Sequence, residues 1–171
     1  MTIDVGPIIR QGDPPHGART LGTGPRTIGQ AGCLLTCFVM AHRSMHGASI
    51  GVLEAHARIS IAGGFVGSGL ITGKAAAALG MVILDRAAFN ADEASRHLAA
   101  RRPVVIGIDY KAGASSGFSD ADHFVLAIGS SATAIKVADP ATARLLDMEF
   151  ARTFYAGRPA RLAEMIVLGK A

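Results

Sequence analysis

The chain has no tryptophan, and aromatic residues make up only 5% of its 171 positions. Large rings therefore cannot dominate the interior, and the 50% hydrophobic content has to pack through small aliphatic side chains. Only two cysteines occur, Cys33 and Cys37, so no disulfide framework holds the fold. A bridge between them would close a tiny loop and stabilise little, and both are expected as free thiols. Charge is sparse as well, at 18%. The net charge is +4, but the 17 Lys and Arg are scattered, with Arg101-Arg102 the only adjacent basic pair and no aromatic residues interleaved with it. That pattern argues against nucleic-acid binding, which needs a clustered basic stripe, and stays compatible with a polyanionic substrate such as cell wall. No apolar run approaches the roughly 18 residues of a membrane span. Met1–Pro7 lacks the basic region and apolar run of a signal peptide. The expectation is a soluble chain, cytoplasmic when made, with release by phage lysis or a dedicated secretion route left open.

A chain of this length buries about 70% of its unfolded surface and needs no metal or disulfide staple. Residues 1–26, rich in Gly, Pro and Thr, read as an arm packed across a domain spanning 27–171. A helix is expected from Cys33 to about Met45, apolar almost all round and stopped at His46-Gly47, where glycine takes a left-handed cap. A second is expected from Ser49, an N-cap candidate, through His56, then a loop over 60–73 and a short helix from Thr72 to Leu79. Met81–Asp85 reads as a strand, and Asn90 caps a helix through Ala99 with Glu93 completing a capping box. Val104–Tyr110 is β-branched and nearly continuous, which suits a central strand covered on both faces. A Gly- and Ser-rich loop over 111–121 leads to a strand from His123 to Ile128, paired in a hairpin with Ala134–Ala138. Residues 144–150 and 161–168 are each expected to add an edge strand. Helices first and an antiparallel sheet after them make the fold class α+β.

Two chemistries are set aside on spacing. Ser68-Gly69-Leu70-Ile71-Thr72-Gly73-Lys74-Ala75 lacks the glycine and the hydroxyl that a phosphate loop needs at its ends, and no apolar strand precedes it. Cys33, Cys37, His42 and His46 have finger-like gaps, but on one helix the histidines point roughly opposite to the cysteines and cannot close a tetrahedron. No metal and no cofactor are expected. His42, His46, His56 and His97 are read as surface or boundary residues, and His16 as an exposed loop residue.

A third chemistry survives. Thr27-Ile28-Gly29-Gln30-Ala31-Gly32 is a glycine-punctuated turn running into the helix, with Cys33 at the junction. A thiol there meets the unpaired N–H groups and the positive end of the helix dipole, a field that favours the thiolate. Gly29 and Gly32 let backbone crowd a substrate carbonyl, and Cys37 reads as a small buried hydrophobe. His123 opens an apolar strand, so its ring can project from the end of the sheet, with Asp122 beside it as a further cleft candidate. Asp139-Pro140 closes the partner strand. In a tight hairpin centred on Gly129 to Ala132, positions 123 and 139 fall almost opposite each other, near enough for a carboxylate to orient an imidazole.

With these pieces in hand, the chain resembles the papain-like cysteine peptidases of the bacteriocin-processing, double-glycine type (peptidase family C thirty-nine), especially stand-alone bacterial and phage relatives. The likeness rests on Gln11-Gly12-Asp13-Pro14, Thr27 through Thr36, Arg102-Pro103-Val104-Val105-Ile106-Gly107, His123-Phe124-Val125-Leu126 and Val137-Ala138-Asp139-Pro140, in the family's order over about residues 11–140. It implies a papain-like fold, Cys33 as nucleophile, His123 as general base and acid, Asp139 as the orienting residue, and a peptide, protein or cell-wall peptide as substrate. One departure stands out. The family usually carries an oxyanion-hole glutamine six residues before the cysteine, where this chain has Thr27. Either Gln30 reaches the site from the turn, or Gln11 folds in from the arm, or backbone N–H groups suffice. The expected activity is amide hydrolysis through an acyl-enzyme. Glutamine deamidation or transglutamination on the same triad, and a papain-like module that binds without cutting, are the alternatives.

Overall fold

The computed structural model describes residues 2–47, 50–110 and 121–171. Its arm leads to a single helical turn, α1 (Ile28–Ala31), and then to α2 (Cys33–His46). Next come α3 (Val52–Ile61), a minimal hairpin of β1 (Phe65–Val66) and β2 (Gly69–Leu70), and α4 (Thr72–Ala78). β3 (Met81–Ala88) and α5 (Ala91–Ala99) follow. The rest is strand: β4 (Val104–Asp109), β5 (His123–Ser130), β6 (Ala134–Asp139) and β7 (Arg144–Glu149). A second small hairpin of β8 (Phe154–Tyr155) and β9 (Arg158–Pro159) precedes β10 (Arg161–Lys170).

Six of these strands form one antiparallel sheet in the order β3-β10-β4-β5-β6-β7, so the class is α+β. Both faces of the sheet are covered. Val105, Leu126, Ile128 and Ile166 pack under α2, α3 and α4, while Ile106, Val125, Val137 and Met165 pack under α5 and the β8–β9 hairpin. α2 is the hub of the first layer because it is apolar on nearly every side. Leu35 and the run from Cys37 to Ala41 are all buried. It ends as its sequence requires, with Gly47 at φ 64, a left-handed conformation that costs glycine nothing. The arm is bonded along its length, with Ile3 N–H donating to Ile128 O and Gln11 N–H to Pro140 O, and with Val5 and Leu21 in the core. Asn90 accepts from the N–H groups of Asp92 and Glu93 at the start of α5, while the Glu93 carboxylate turns to Arg96.

Several expectations need correction. The 161–168 segment is no edge strand: β10 lies between β3 and β4, and Ala163 through Leu168 are buried. Met165-Ile166-Val167-Leu168 is the continuous apolar run of a strand covered on both sides, and the charge that disguised it, Glu164, is buried and paired with Arg86 at 3.1 Å. His42 and His56 are not boundary residues but buried ones. The His56 ring lies against Phe65 and its Nε2 accepts the Gly22 N–H at 3.1 Å. His42 stacks on His46, with ring centroids 4.5 Å apart. The loop foreseen over 60–73 contains β1 and β2. Ser49 and residues 111–120 of the Gly- and Ser-rich loop lie outside the described residues. Among the described residues, no helix is long and apolar enough to cross a membrane.

Candidate active site

The nucleophile candidate owes its position to two short helices in tandem. Thr27 opens α1 by donating its N–H to Gln30 Oε1 at 3.0 Å, and Gly32 closes it by donating to Ile28 O at 2.7 Å. α2 starts at the next residue, so Cys33 sits where the first-turn N–H groups have no intrahelical acceptor. The two glycines meant to make room for substrate do a different job, because neither lines the cleft. A Cβ on Gly32 would stand 2.5 Å from Ile28 O, and one on Gly29 would stand 2.9 Å from Gly17 O. They permit the sharp junction and the close passage of the arm.

The histidine and the aspartate meet, but not through the register foreseen. β5 and β6 pair Leu126 with Ala138 and Ala127 with Val137, and the register slips before Gly129 pairs with Lys136. Continued past Ala138, that register sets Asp139 opposite Val125 and leaves His123 as its diagonal neighbour. The offset arises at the turn, which falls at Ala132-Thr133 with Ser131 N–H donating to Ala134 O, later than foreseen, and the bulge near Ile128 takes back one residue of it. Diagonal partners share a face and lie within reach of long side chains. The imidazole closes the gap, with His123 Nε2 and Asp139 Oδ1 at 2.8 Å.

Asp139 is fully buried and saturated with donors. Its Oδ1 also accepts from Ala141 N–H at 2.9 Å, and its Oδ2 from Thr142 Oγ1 at 2.8 Å. The Tyr155 hydroxyl donates to the same carboxylate from 3.3 Å, while its ring stacks on His123 with centroids 5.0 Å apart. Burial raises the Asp139 pKa, but the bonds from His123, Ala141 and Thr142 outweigh it and hold the carboxyl below its ordinary range. Burial likewise disfavours a charged His123. The hydrogen bonds and negative charges of Asp139 and Cys33 overcome it and push the imidazole up to about 9. Nε2 is committed to the carboxylate, so Nδ1 is the nitrogen left to face the Cys33 sulfur. His123 is the first residue of β5, paired with Ile108 of β4, and lines the cleft. There it meets a thiol delivered from the α2 side and a tyrosine delivered from the other. Cys37, one turn along, is fully buried, its thiol directed at Phe124 O from 3.5 Å. Burial pushes its pKa well up, with the charges of Cys33 and Asp139 adding to the effect.

Cys33 and His123 open onto a cleft of about 430 Å³. Gln11, Gln30 and Asp122 also line it, whereas Thr27 does not. Gln30 is exposed and its carbonyl oxygen is spent on the α1 cap. Gln11 is buried and braced on both sides, by its N–H on Pro140 O at 2.8 Å and its Nε2 on Gly29 O at 2.9 Å. Among the described residues, one Nε2–H finds no acceptor and Oε1 no hydrogen-bond partner. Asp122 holds the end of β4 by accepting the Tyr110 N–H at 3.1 Å.

Sequence reasoning missed Tyr155 and Thr142. The chain has only two tyrosines, and Tyr110 and Tyr155 pack together at the cleft, but no periodicity marks either. Thr142 carried a readable signal: Asp-Pro-x-Thr is turn chemistry in which a side-chain oxygen collects donors from the residues after it. Among the described residues, no group of three or more His, Cys, Asp or Glu side chains is arranged to hold a metal ion. No protein-family model matches the chain, and no curated protein matches it.

Proposed function

We propose that this chain is a cysteine hydrolase of papain-like architecture acting on an amide bond. The observation that carries the reading is the buried 2.8 Å contact between His123 and Asp139 beside a thiol at a helix start, with the thiol and the imidazole opening on one cleft. The Cys33 sulfur attacks the carbonyl carbon and an S–C bond forms. The oxygen takes up negative charge facing the Cys33 N–H and the free Nε2–H of Gln11, the only one of the three oxyanion candidates that is both buried and at the cleft. His123 gives its proton to the amide nitrogen as the C–N bond breaks. It then takes a proton from the water that releases the acyl group. Asp139 holds the ring so that Nδ1 faces sulfur throughout, with Thr142 and Tyr155 holding Asp139.

The substrates this chemistry suits are a peptide, a protein or a cell-wall peptide, acted on without a cofactor. The likeness to double-glycine peptidases supports the peptide reading. The test is to offer wild-type protein a panel of peptides, cell-wall cross-bridge peptides and glutamine-bearing peptides, and to quench in acid. Intact-mass spectrometry then seeks an acyl adduct on Cys33, with Cys33→Ala as the blank. An adduct that resolves to two hydrolysed fragments is the expected result. Ammonia release, or transfer to an added amine, redirects the assignment to glutamine deamidation or transglutamination on the same triad. Absence of any adduct, with no cleavage, points to a binding module.

A further inference from the structure

We infer that Arg26 reads a carboxylate, and that the substrate carries an acidic side chain on the acyl side of the scissile amide. The inference rests on the hydrolase reading and adds the substrate's chemistry to it. Among the described residues, Arg26 is the one Lys or Arg lining the cleft, and its guanidinium has neither an ion-pair nor a hydrogen-bond partner there. A lone exposed arginine is ordinarily a solvated surface charge. This one differs in how it is mounted. Its N–H donates to Ser68 Oγ at 3.2 Å, and its carbonyl accepts the Leu21 N–H at 2.8 Å. The turn leading to it is wedged against the β1–β2 hairpin so tightly that a Cβ on Gly24 would lie 2.2 Å from Ser68 Oγ, and the Thr23 N–H donates to Gly67 O. The guanidinium therefore leaves from a fixed wall, and less freedom is lost when it binds. Leu21, Leu34 and Leu70 line the same cleft, so a carboxylate drawn there is partly removed from water, where a charge-assisted pair is stronger than on an open surface.

The two walls of the cleft set the side. The leaving nitrogen must face His123, which protonates it. His123 reaches the cleft from the sheet, together with Asp122 and Phe124, whereas Arg26 reaches it from the arm, together with Leu21 and the β1–β2 hairpin. The acidic group consequently belongs to the other fragment, the one that stays on sulfur, along the wall that carries Arg26. Guanidinium and carboxylate match as paired forks, which a lysine or an amide would not reproduce.

The experiment uses capped dipeptidyl acyloxymethyl ketones that alkylate an active-site thiol, with Glu, Gln or Lys at either residue position. It compares second-order inactivation of wild-type, Arg26→Gln and Arg26→Glu proteins, using the ratio between probes within each protein so that any general change in Cys33 reactivity cancels. Wild type should prefer the Glu probe to the Lys probe on the order of tenfold at one position. Arg26→Gln should flatten that ratio, and Arg26→Glu should invert it. A wild type indifferent to probe charge, or an Arg26→Glu protein with the wild-type ranking, overturns the assignment of Arg26. If wild-type Cys33 also resists iodoacetamide, the hydrolase reading falls and this one falls with it.

Discussion

Replacing Asp139 by asparagine separates the geometry of the site from its charge. Oδ1 accepts His123 Nε2–H and Ala141 N–H at 2.8 and 2.9 Å, and an asparagine oxygen can accept both. The new NH₂ then faces Thr142 and Tyr155, whose hydroxyls can rotate to accept rather than donate. The imidazole should stay in place while the negative charge that raises its pKa disappears. A hydrogen bond to a charged group is worth roughly 1.5–3 kcal/mol and a neutral one roughly 0.5–1.5. The midpoints differ by about 1.25 kcal/mol, close to the roughly 1.4 kcal/mol of one pKa unit. Iodoacetamide alkylation of Cys33, followed by site-resolved mass spectrometry from pH 5 to 10, should show an alkaline change near 9 in wild type, where His123 loses its proton. In Asp139→Asn that change should move down by about one unit. Asp139→Ala should lose the pH signature and about 3–5 kcal/mol of stability, because it strands His123 and three further donors in a buried site. An Asp139→Asn profile superimposable on wild type would refute the claim that the carboxylate charge sets the state of the imidazole.

Tyr155→Phe should keep the stack on His123 while losing the hydroxyl bond, costing about 1 kcal/mol in thermal unfolding. Tyr155→Ala should cost about 3–5 kcal/mol and disturb the alkylation profile as well. Acid should loosen the fold through two other histidines. Burial, with neighbouring positive charge, lowers the pKa of His42 and of His56 below the ordinary 6.5. The unfolded chain therefore binds those protons more readily, and stability should fall as pH drops through 6.5. His123 runs the other way. Its contribution is complete below 6.5 and is lost as pH rises through about 9. Melting temperature should accordingly decline on both sides of a maximum between those limits. His42→Leu should flatten the acid side at little cost, because His42 Nδ1 has no hydrogen-bond partner among the described residues to lose.

Patterns local to a few residues were the legible ones. α2 begins at Cys33 and ends before Gly47 because its apolar run and its left-handed glycine are both written in adjacent positions. The pairing of β5 with β6 was legible as a hairpin and not as a register, since the turn falls at Ala132-Thr133, later than the glycine and serines suggest, and a bulge near Ile128 then shifts the pairing by one more residue. The place of β10 was hidden by a single glutamate whose partner, Arg86, lies on another strand. Choosing among Gln11, Gln30 and Thr27 required knowing that the arm doubles back across Pro140, a contact between distant parts of the chain that no spacing encodes. His56 looked like a surface residue until Gly22 and Phe65 were folded onto it.

The central claim is that one of two neighbouring thiols is set apart by His123 and Asp139. Brief treatment with iodoacetamide at pH 6, followed by peptide mapping, tests it within a single molecule. Cys33 should be carboxamidomethylated, with the reaction lost in His123→Ala, while Cys37, fully buried and with its pKa pushed up by burial, stays unmodified. Equal modification of both cysteines, or a Cys33 rate unchanged in His123→Ala, would contradict the account.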